Sequence, residues 1–506
     1  MTKNLEELRD LLLQQPGVRD AMVFFRGANG ERRAAALVVP DYDSLERSLA
    51  GTDEERKRVR RFGKIYDLAL RTKAVGDTAP GCNFLGWNSS YTKQPIPAEE
   101  MLDWVERTVE SIRSLHPNEV LEIGCGSGLL LLRLARECQS FTGLDVSAVS
   151  LQSVRNQMES LGGPWGAVTL LDRPADDLGG IPDDSFDTVI INSVTQYFLN
   201  LNYLNRVIKG AVRVVKPGGA VFVGDVRNLL LAEPFALSVE LYQTDPSLSL
   251  GDFKARVRRR LDVDSDLLIS PDFFSAFQRQ CPEVSRVEIK LKKGRFENEM
   301  KRFRYDAVLY RAEETTPVLA PDWLDWSVCN LNQDAIRQLL AGKPDVLGVS
   351  GVPNSRVEEC VEAGKRLSGG LGTQTVRELT DELRRMHRRG IAPEWFEDLG
   401  RDTGYRVDIS WASARPDGAY DVLFVRPARP DTDGGAVSWP RPHPDSEDLS
   451  LYVNRPGRFS VRQSLLSQLI ETCKNSLSCS ELPFAIEVVD SLPSGSEFNA
   501  PKEGEL

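Results

Sequence analysis

Apolar residues along this chain fall into short unbroken runs set apart by segments of about one helix length. Val120–Ile123, Phe141–Val146, a stretch ending at Leu171, Phe186–Ile191 and Ala220–Val223 are such runs, and Gly, Pro, Asp or Asn bounds each of them. Runs of this length without polar alternation suit strands buried on both faces. Alternated with helices, they predict an α/β fold with a mostly parallel sheet. Beyond Pro317 the pattern changes to alternation in Tyr405–Trp411 and Tyr420–Val425, with a helical period around Val376–Arg389. Residues 427–447 are rich in Pro, Gly, Asp and Ser and read as a linker, and apolar spacing returns over Ser464–Ile470.

The first run closes on Gly124, Cys125, Gly126, Ser127 and Gly128 before Leu129, so a strand ends in a glycine turn that opens a helix. Glycines there let the backbone approach a ligand, and the helix start behind them offers free N–H groups. Such turns also serve plain packing, so their neighbours decide. Asp145 ends the next run, where a ribose-hydroxyl acceptor belongs; its alternative role is to cap the helix that follows Val146. Glu122 and Asp145 flank the turn and would repel a pyrophosphate. A phosphate-free ligand carrying a sulfonium and an ammonium fits better, namely S-adenosylmethionine, with S-adenosylhomocysteine as the product. Ala175 and Asp176 follow the third strand, and Asp176 is placed to accept from an adenine amino group. Glu122 reaches the ligand's ammonium or only caps the turn, and Cys125 fills a place that needs a small side chain.

The turn resembles the first motif of class I methyltransferases. Gly86–Met101, Asn192–Phe198, Val223–Arg227, Lys293–Met300 and Arg302–Leu309 narrow the resemblance to the methyltransferase domains built into nonribosomal peptide synthetases, over about residues 60–427. Lys93 departs from that pattern where the family usually has glycine, and Ser270 where it usually has aspartate. The resemblance implies a class I, Rossmann-like core with a seven-stranded sheet, an α+β accessory lobe, and an acceptor held on the phosphopantetheine arm of a peptidyl or acyl carrier protein, with other synthetase modules as further partners. A second resemblance lies at the ends. Asn4–Val23 and Arg33–Pro40, then Ser464–Ile470 and Glu481–Pro493, look like two parts of the small C-terminal subdomain of adenylation domains. The lysine that closes that family falls on Asn499 in strict register, or on Lys502 with a shift, and the large ATP-binding subdomain is missing. Adenylation by this chain alone is therefore not expected, and the remnant reads as a carrier-docking or structural platform. The expected division is 1–50 and 449–506 for the split remnant, 51–315 for the methyltransferase core with its lid helices, 316–427 for the lobe and 428–448 for the linker.

Composition narrows the partners and the chemistry. A net charge of −11 over 506 residues argues against nucleic acid. No apolar run reaches the ~20 residues of a membrane span, and the eight cysteines show no CxxC pair, so a cytoplasmic enzyme without a metal site is expected. Basic runs at Arg56–Arg61, Lys254–Arg260 and Arg384–Arg389 read as solvated helix faces or as a surface for an acidic carrier. Only three histidines occur, and His116 precedes the first core strand, away from the ligand crevice. Without a histidine base an amine is the best acceptor, since an α-amino group with a pKa of about 7.7–8.0 is partly neutral already. Methylation of oxygen or carbon is the alternative, and an inactive docking module is the alternative of another class. Asn192, Gln196 and Tyr197 after the fourth strand, with Asp225, Glu299 and Arg304, are the candidate catalytic residues. Glu299 or Asp225 is the candidate base, Tyr91 the candidate for the cofactor's methionine end, and Asn192 and Ser193 belong to the cofactor set as well. Each of these side chains also admits the reading of a buried structural hydrogen bond.

Overall fold

The computed structural model describes residues 2–26, 33–42, 44–45, 55–60, 63–64, 79–311, 318–369, 375–427, 436–440, 446–456, 458–477 and 485–492, with a few single positions between them. The chain divides into two compact units, one of residues 1–58, 262–265 and 457–506, the other of residues 59–261 and 266–456.

The larger unit is built on seven strands: β1 (Glu119–Ile123), β2 (Ser140–Asp145), β3 (Ala167–Asp172), β4 (Phe186–Asn192), β5 (Val215–Arg227), β6 (Arg286–Leu291) and β7 (Arg304–Tyr310). They stand in the order β3-β2-β1-β4-β5-β7-β6, and only β7 runs antiparallel, to β5 on one side and β6 on the other. This is the seven-stranded, mostly parallel α/β sheet that the resemblance implies. Val120, Leu121, Ile123, Val189, Ile190 and Ile191 in its central strands are fully buried, as unbroken apolar runs require. Strand order reverses between β1 and β4, and in a parallel sheet such a switch opens a crevice at the strands' C-terminal ends. The glycine turn leaves β1 at that point, and Asn192 ends β4 beside it.

Helices cover the sheet for sequence reasons. In α1 (Ala98–Arg113), Met101, Trp104, Val105, Val109 and Ile112 form the buried stripe, with Glu99 and Glu100 in the first turn and Arg113 in the last, where the helix dipole favours them. α2 (Ala148–Leu161) starts at Ser147, whose Oγ accepts from Ser150 N at 3.0 Å, and α3 (Leu201–Val214) at Asn200, whose Oδ1 accepts from Tyr203 N at 2.9 Å. α4 (Ala232–Gln243) follows β5, and α5 (Glu299–Phe303) leads directly into β7. The Lys216–Gly219 segment, with its Pro-Gly-Gly, is part of β5: the strand runs through it with a register shift opposite Phe186 and Thr188, and Gly218 takes φ +83° at the bulge.

Beyond the core this unit carries a four-stranded sheet in the order Trp323–Asp325, Val346–Val352, Tyr420–Val425, Arg406–Ser410, with helices over Gln333–Ala341, Glu358–Ser368, Val376–Arg385 and Pro393–Thr403. The helix Val376–Arg385, expected to reach Arg389, stops at Arg385 because Met386 turns extended. In the expected linker, Ala436–Val437 pairs with Val318–Leu319, and residues 428–435 and 441–445 lie outside the described residues. In the smaller unit, Arg33–Pro40 pairs antiparallel with Val18–Arg26 and parallel with Ala485–Val488, so both chain ends supply one sheet. Its core is Leu8, Leu12, Val38, Leu465, Leu469 and Cys473. Asn499 and Lys502 lie outside the described residues. Among the described residues, no helix is long and apolar enough to cross a membrane, and no cluster of three or more His, Cys, Asp or Glu is placed to hold a metal.

Candidate active site

At the end of β1 the chain folds back against β2. Gly124 N–H and Cys125 N–H both donate to the Leu144 carbonyl, at 2.6 and 3.1 Å. Gly124 has φ +77°, and a Cβ there would lie 2.4 Å from Val194 Cγ2, so this position admits only glycine. Gly126, at φ +50°, has open space where its Cβ would be. Its N–H donates to Asp145 Oδ2 at 2.8 Å, while Asp145 Oδ1 accepts from Ser147 N at 2.8 Å. Asp145 thus ties the turn to the next loop, and the capping of α2 falls to Ser147 rather than to Asp145. Val146, between them, is half-buried.

Beneath the turn lies Glu122, 4% exposed. Burial first, and the neighbouring Asp145 charge second, push its carboxyl up to about 8, against a partial lowering by the Leu131 N–H. Its Oε2 has no hydrogen-bond partner among the described residues. Such an atom is costly in water-free surroundings and calls for a cation. Open space over Gly126, an unpaired buried acid below it and a carboxylate at Asp145 together fit the ammonium and ribose of S-adenosylmethionine. The Cys125 thiol, pushed well above its ordinary value by burial, is no nucleophile.

On the other side of the crevice, Ser193 and Asp225 adopt φ +57° and +60°, a region that costs a non-glycine residue roughly 1–3 kcal/mol. Polar contacts hold both there. Ser193 N–H donates to the Gly224 carbonyl at 3.1 Å, Ser193 Oγ to Asp225 Oδ2 at 2.6 Å, and Asp225 N–H to Asp306 Oδ1 at 2.8 Å. Lys292 Nζ, buried, donates to the same Asp306 at 2.9 Å. The Asp225 carboxylate is fully buried and takes two more donors, Arg304 Nη1 on Oδ2 at 2.6 Å and Trp104 Nε1 on Oδ1 at 3.2 Å. Asn192 packs beside Gly224, where a Cβ would come within 2.3 Å of its Oδ1. Gln196 Nε2 donates to the Ser193 carbonyl at 2.9 Å, and Tyr197, next to it, is exposed.

Glu299, the other acidic candidate, is buried and holds a loop. Its Oε2 accepts from Ser90 N at 2.8 Å and its Oε1 from Ser90 Oγ at 2.7 Å, while Gln243 Nε2 donates to the Ser90 and Tyr91 carbonyls, both at 2.8 Å. Tyr91, the candidate for the cofactor's methionine end, has its hydroxyl engaged by neighbouring side chains. Its hydroxyl lies 2.9 Å from Ser238 Oγ on α4 and takes Arg302 Nη1 at 3.3 Å. Asp176, the candidate acceptor for the adenine amino group, pairs through Oδ2 with Arg206 of α3 at 3.2 Å, and Ala175 packs against the core. In both cases a neighbouring arginine offers the oxygen a partner. Part of the basic run Lys254–Arg260 is structural as well, since Arg256 and Arg260 both donate to the buried Glu240.

The sequence reading missed Trp104, Ser90, Asp306 and Lys292. Trp104 sits in the apolar stripe of α1 and reads as core, whereas Ser90 lies within Gly86–Met101, the motif from which Tyr91 is the candidate site residue.

A family model described as a methyltransferase domain matches residues 121–223. A chondramide synthase of Chondromyces crocatus is 34% identical over 508 residues, covering 97% of this chain and 13% of that protein. A probable non-canonical nonribosomal peptide synthetase of Salinispora arenicola is 30% identical, covering 96% of this chain and 6% of that protein. A beauvericin nonribosomal cyclodepsipeptide synthetase of Beauveria bassiana is 26% identical, covering 96% and 16%. The chain thus spans less than a fifth of the length of each of these curated relatives.

Proposed function

Since this chain carries a methyltransferase domain and is homologous over most of its length to segments of nonribosomal peptide synthetases, we propose that it methylates the amino nitrogen of an aminoacyl or peptidyl thioester held on a carrier protein. That it is an S-adenosylmethionine-dependent methyltransferase follows from the domain and the crevice together. When bound, the cofactor supplies an electrophilic methyl on a sulfonium. Glu122, the turn Gly124–Gly128 and Asp145 are the residues that would hold it.

One observation carries the choice of nitrogen: both acidic groups on the acceptor side are already engaged. Asp225 takes three side-chain donors and Glu299 takes two donors from Ser90. Neither is free to act as the strong base that a carbon or hydroxyl acceptor needs. An amine needs none, because its neutral form already offers a lone pair near pH 8. The work left to the protein is alignment and exclusion of water. Glu299 and Gln243 fix the Ser90 loop, and Ser193, Trp104 and Arg304 fix Asp225, a buried negative charge that stabilises positive charge developing on the acceptor nitrogen. The split small unit is read as the platform that receives the carrier.

The test uses paired acceptors, an aminoacyl-pantetheine thioester and its N-acetylated twin, with labelled S-adenosylmethionine. The reading expects label on the free amine alone. Equal labelling of both would overturn it.

A further inference from the structure

Strands β5 and β7 pair antiparallel with a register shift at Asp225. Val223 stands opposite Ala307 and Val226 opposite Tyr305, so Gly224 and Asp225 together face the single residue Asp306. A bulge of this kind re-aims a side chain and leaves a backbone group without its ladder partner. Asp225, at φ +60°, is fully buried, so its N–H must find an acceptor inside the protein. It donates to Asp306 Oδ1 at 2.8 Å, where a side-chain oxygen stands in for a strand carbonyl.

Asp306 is buried as well and is held in turn. Lys292, buried just after β6, donates from Nζ to both Asp306 oxygens, at 2.9 and 3.2 Å. The same Nζ reaches Thr108 Oγ1 on α1 at 3.4 Å and lies 5.7 Å from the ring centroid of Trp104, whose Nε1 donates to the Asp225 carboxylate. Lys292 therefore touches both supports of Asp225, the one on its backbone and the one on its side chain. A buried ion pair adds little net stability over apolar residues of the same size, so stability alone does not account for this one. We infer that Asp306 and Lys292 are positioning residues: Asp306 holds the Asp225 backbone in its left-handed conformation, Lys292 fixes the Asp306 carboxylate, and together they set where the Asp225 charge stands toward the acceptor. The inference rests on the role proposed above for Asp225.

The test removes the ion pair whole, because loss of one partner strands the other's charge. In Asp306→Asn/Lys292→Met an amide oxygen still accepts from Asp225 N–H; in Asp306→Leu/Lys292→Met a side chain of similar volume accepts nothing. Methyl transfer to an aminoacyl carrier protein is followed in both, with acceptor KM, cofactor Kd and melting temperature measured alongside and Asp225→Asn as the reference. The asparagine variant keeps kcat within about three-fold of the wild type, whereas the leucine variant loses about ten-fold or more in kcat with cofactor Kd unchanged. A merely structural role would lower both variants alike. Equal kcat in the two double variants, with Asp225→Asn impaired, would overturn the inference and leave the role of Asp225 standing. Wild-type kcat in Asp225→Asn would overturn that role and the inference with it. If one double variant fails to fold, the other decides, since a large loss of kcat in the asparagine variant, or none in the leucine variant, would each overturn the inference.

Discussion

Replacing Glu122 by Gln probes a buried acid of the cofactor site that has no hydrogen-bond partner on Oε2 among the described residues. Burial and the Asp145 charge hold this carboxyl at about 8 instead of its ordinary 4.5. At pH 7 it is therefore about nine-tenths protonated, yet the side chain must be ionised to face an ammonium. Cofactor binding then expels close to one proton at pH 7 and almost none at pH 9, and affinity rises nearly ten-fold per pH unit up to about pH 8. Stability runs the other way. Between pH 4.5 and 8 the folded protein keeps this proton and the unfolded chain does not, so the free protein loses stability as pH rises through that window. At 1.36 kcal/mol per unit, the shift amounts to roughly 5 kcal/mol at most. Glu122→Gln should bind the cofactor more weakly, and as free protein should melt higher than the wild type at pH 8 but not at pH 4.5. Calorimetric titration in two buffers of different ionisation enthalpy counts the protons, and the variant subtracts those that come from the ligand's own amine. Equal proton release from wild type and variant at pH 7 would refute the reasoning.

Other perturbations separate the remaining parts. Gly124→Ala places a methyl 2.4 Å from Val194 at φ +77°; a cost of about 1–3 kcal/mol and loss of cofactor binding are expected in a melt and a titration. Glu299→Gln removes the charge from the two Ser90 hydrogen bonds, and the KM for the acceptor should rise several-fold with cofactor affinity little changed, a split that steady-state kinetics reads directly. Arg356, buried, donates from Nη1 to the Lys292 carbonyl at 2.9 Å and from Nη2 to Glu394 Oε1 at 2.5 Å, thereby bracing the segment that leads into α5. Arg356→Met leaves the Lys292 carbonyl without this donor while Glu394 keeps Lys301 at 2.9 Å, so it should cost about 1–3 kcal/mol in denaturant unfolding, and should raise the acceptor KM more than the cofactor Kd.

Features written in one stretch of chain were legible before the structure. Glycines 124, 126 and 128, the carboxylate that ends β2 and the unbroken apolar strands specify the parallel sheet and its crevice, because strand burial and turn conformation are local demands. Side-chain pairing across the fold was not legible. Asp176 is taken by Arg206 and the Tyr91 hydroxyl by Ser238 and Arg302, partners 30, 147 and 211 positions away that no periodicity announces. Asp225 and Glu299 were found as acidic groups at the right edge. Their engagement by Ser193, Trp104, Arg304 and Ser90 emerges only when four separate segments meet, and it changes what those carboxylates can do. Trp104 was hidden because one face of an indole is core while its N–H is polar.

The central claim is the acceptor atom, and fragmentation mass spectrometry tests it most directly. An aminoacyl carrier protein would be incubated with this chain and isotope-labelled S-adenosylmethionine, and the product fragmented to locate the methyl. The account predicts the label on the α-nitrogen. A label on a side-chain oxygen or on the α-carbon would contradict it.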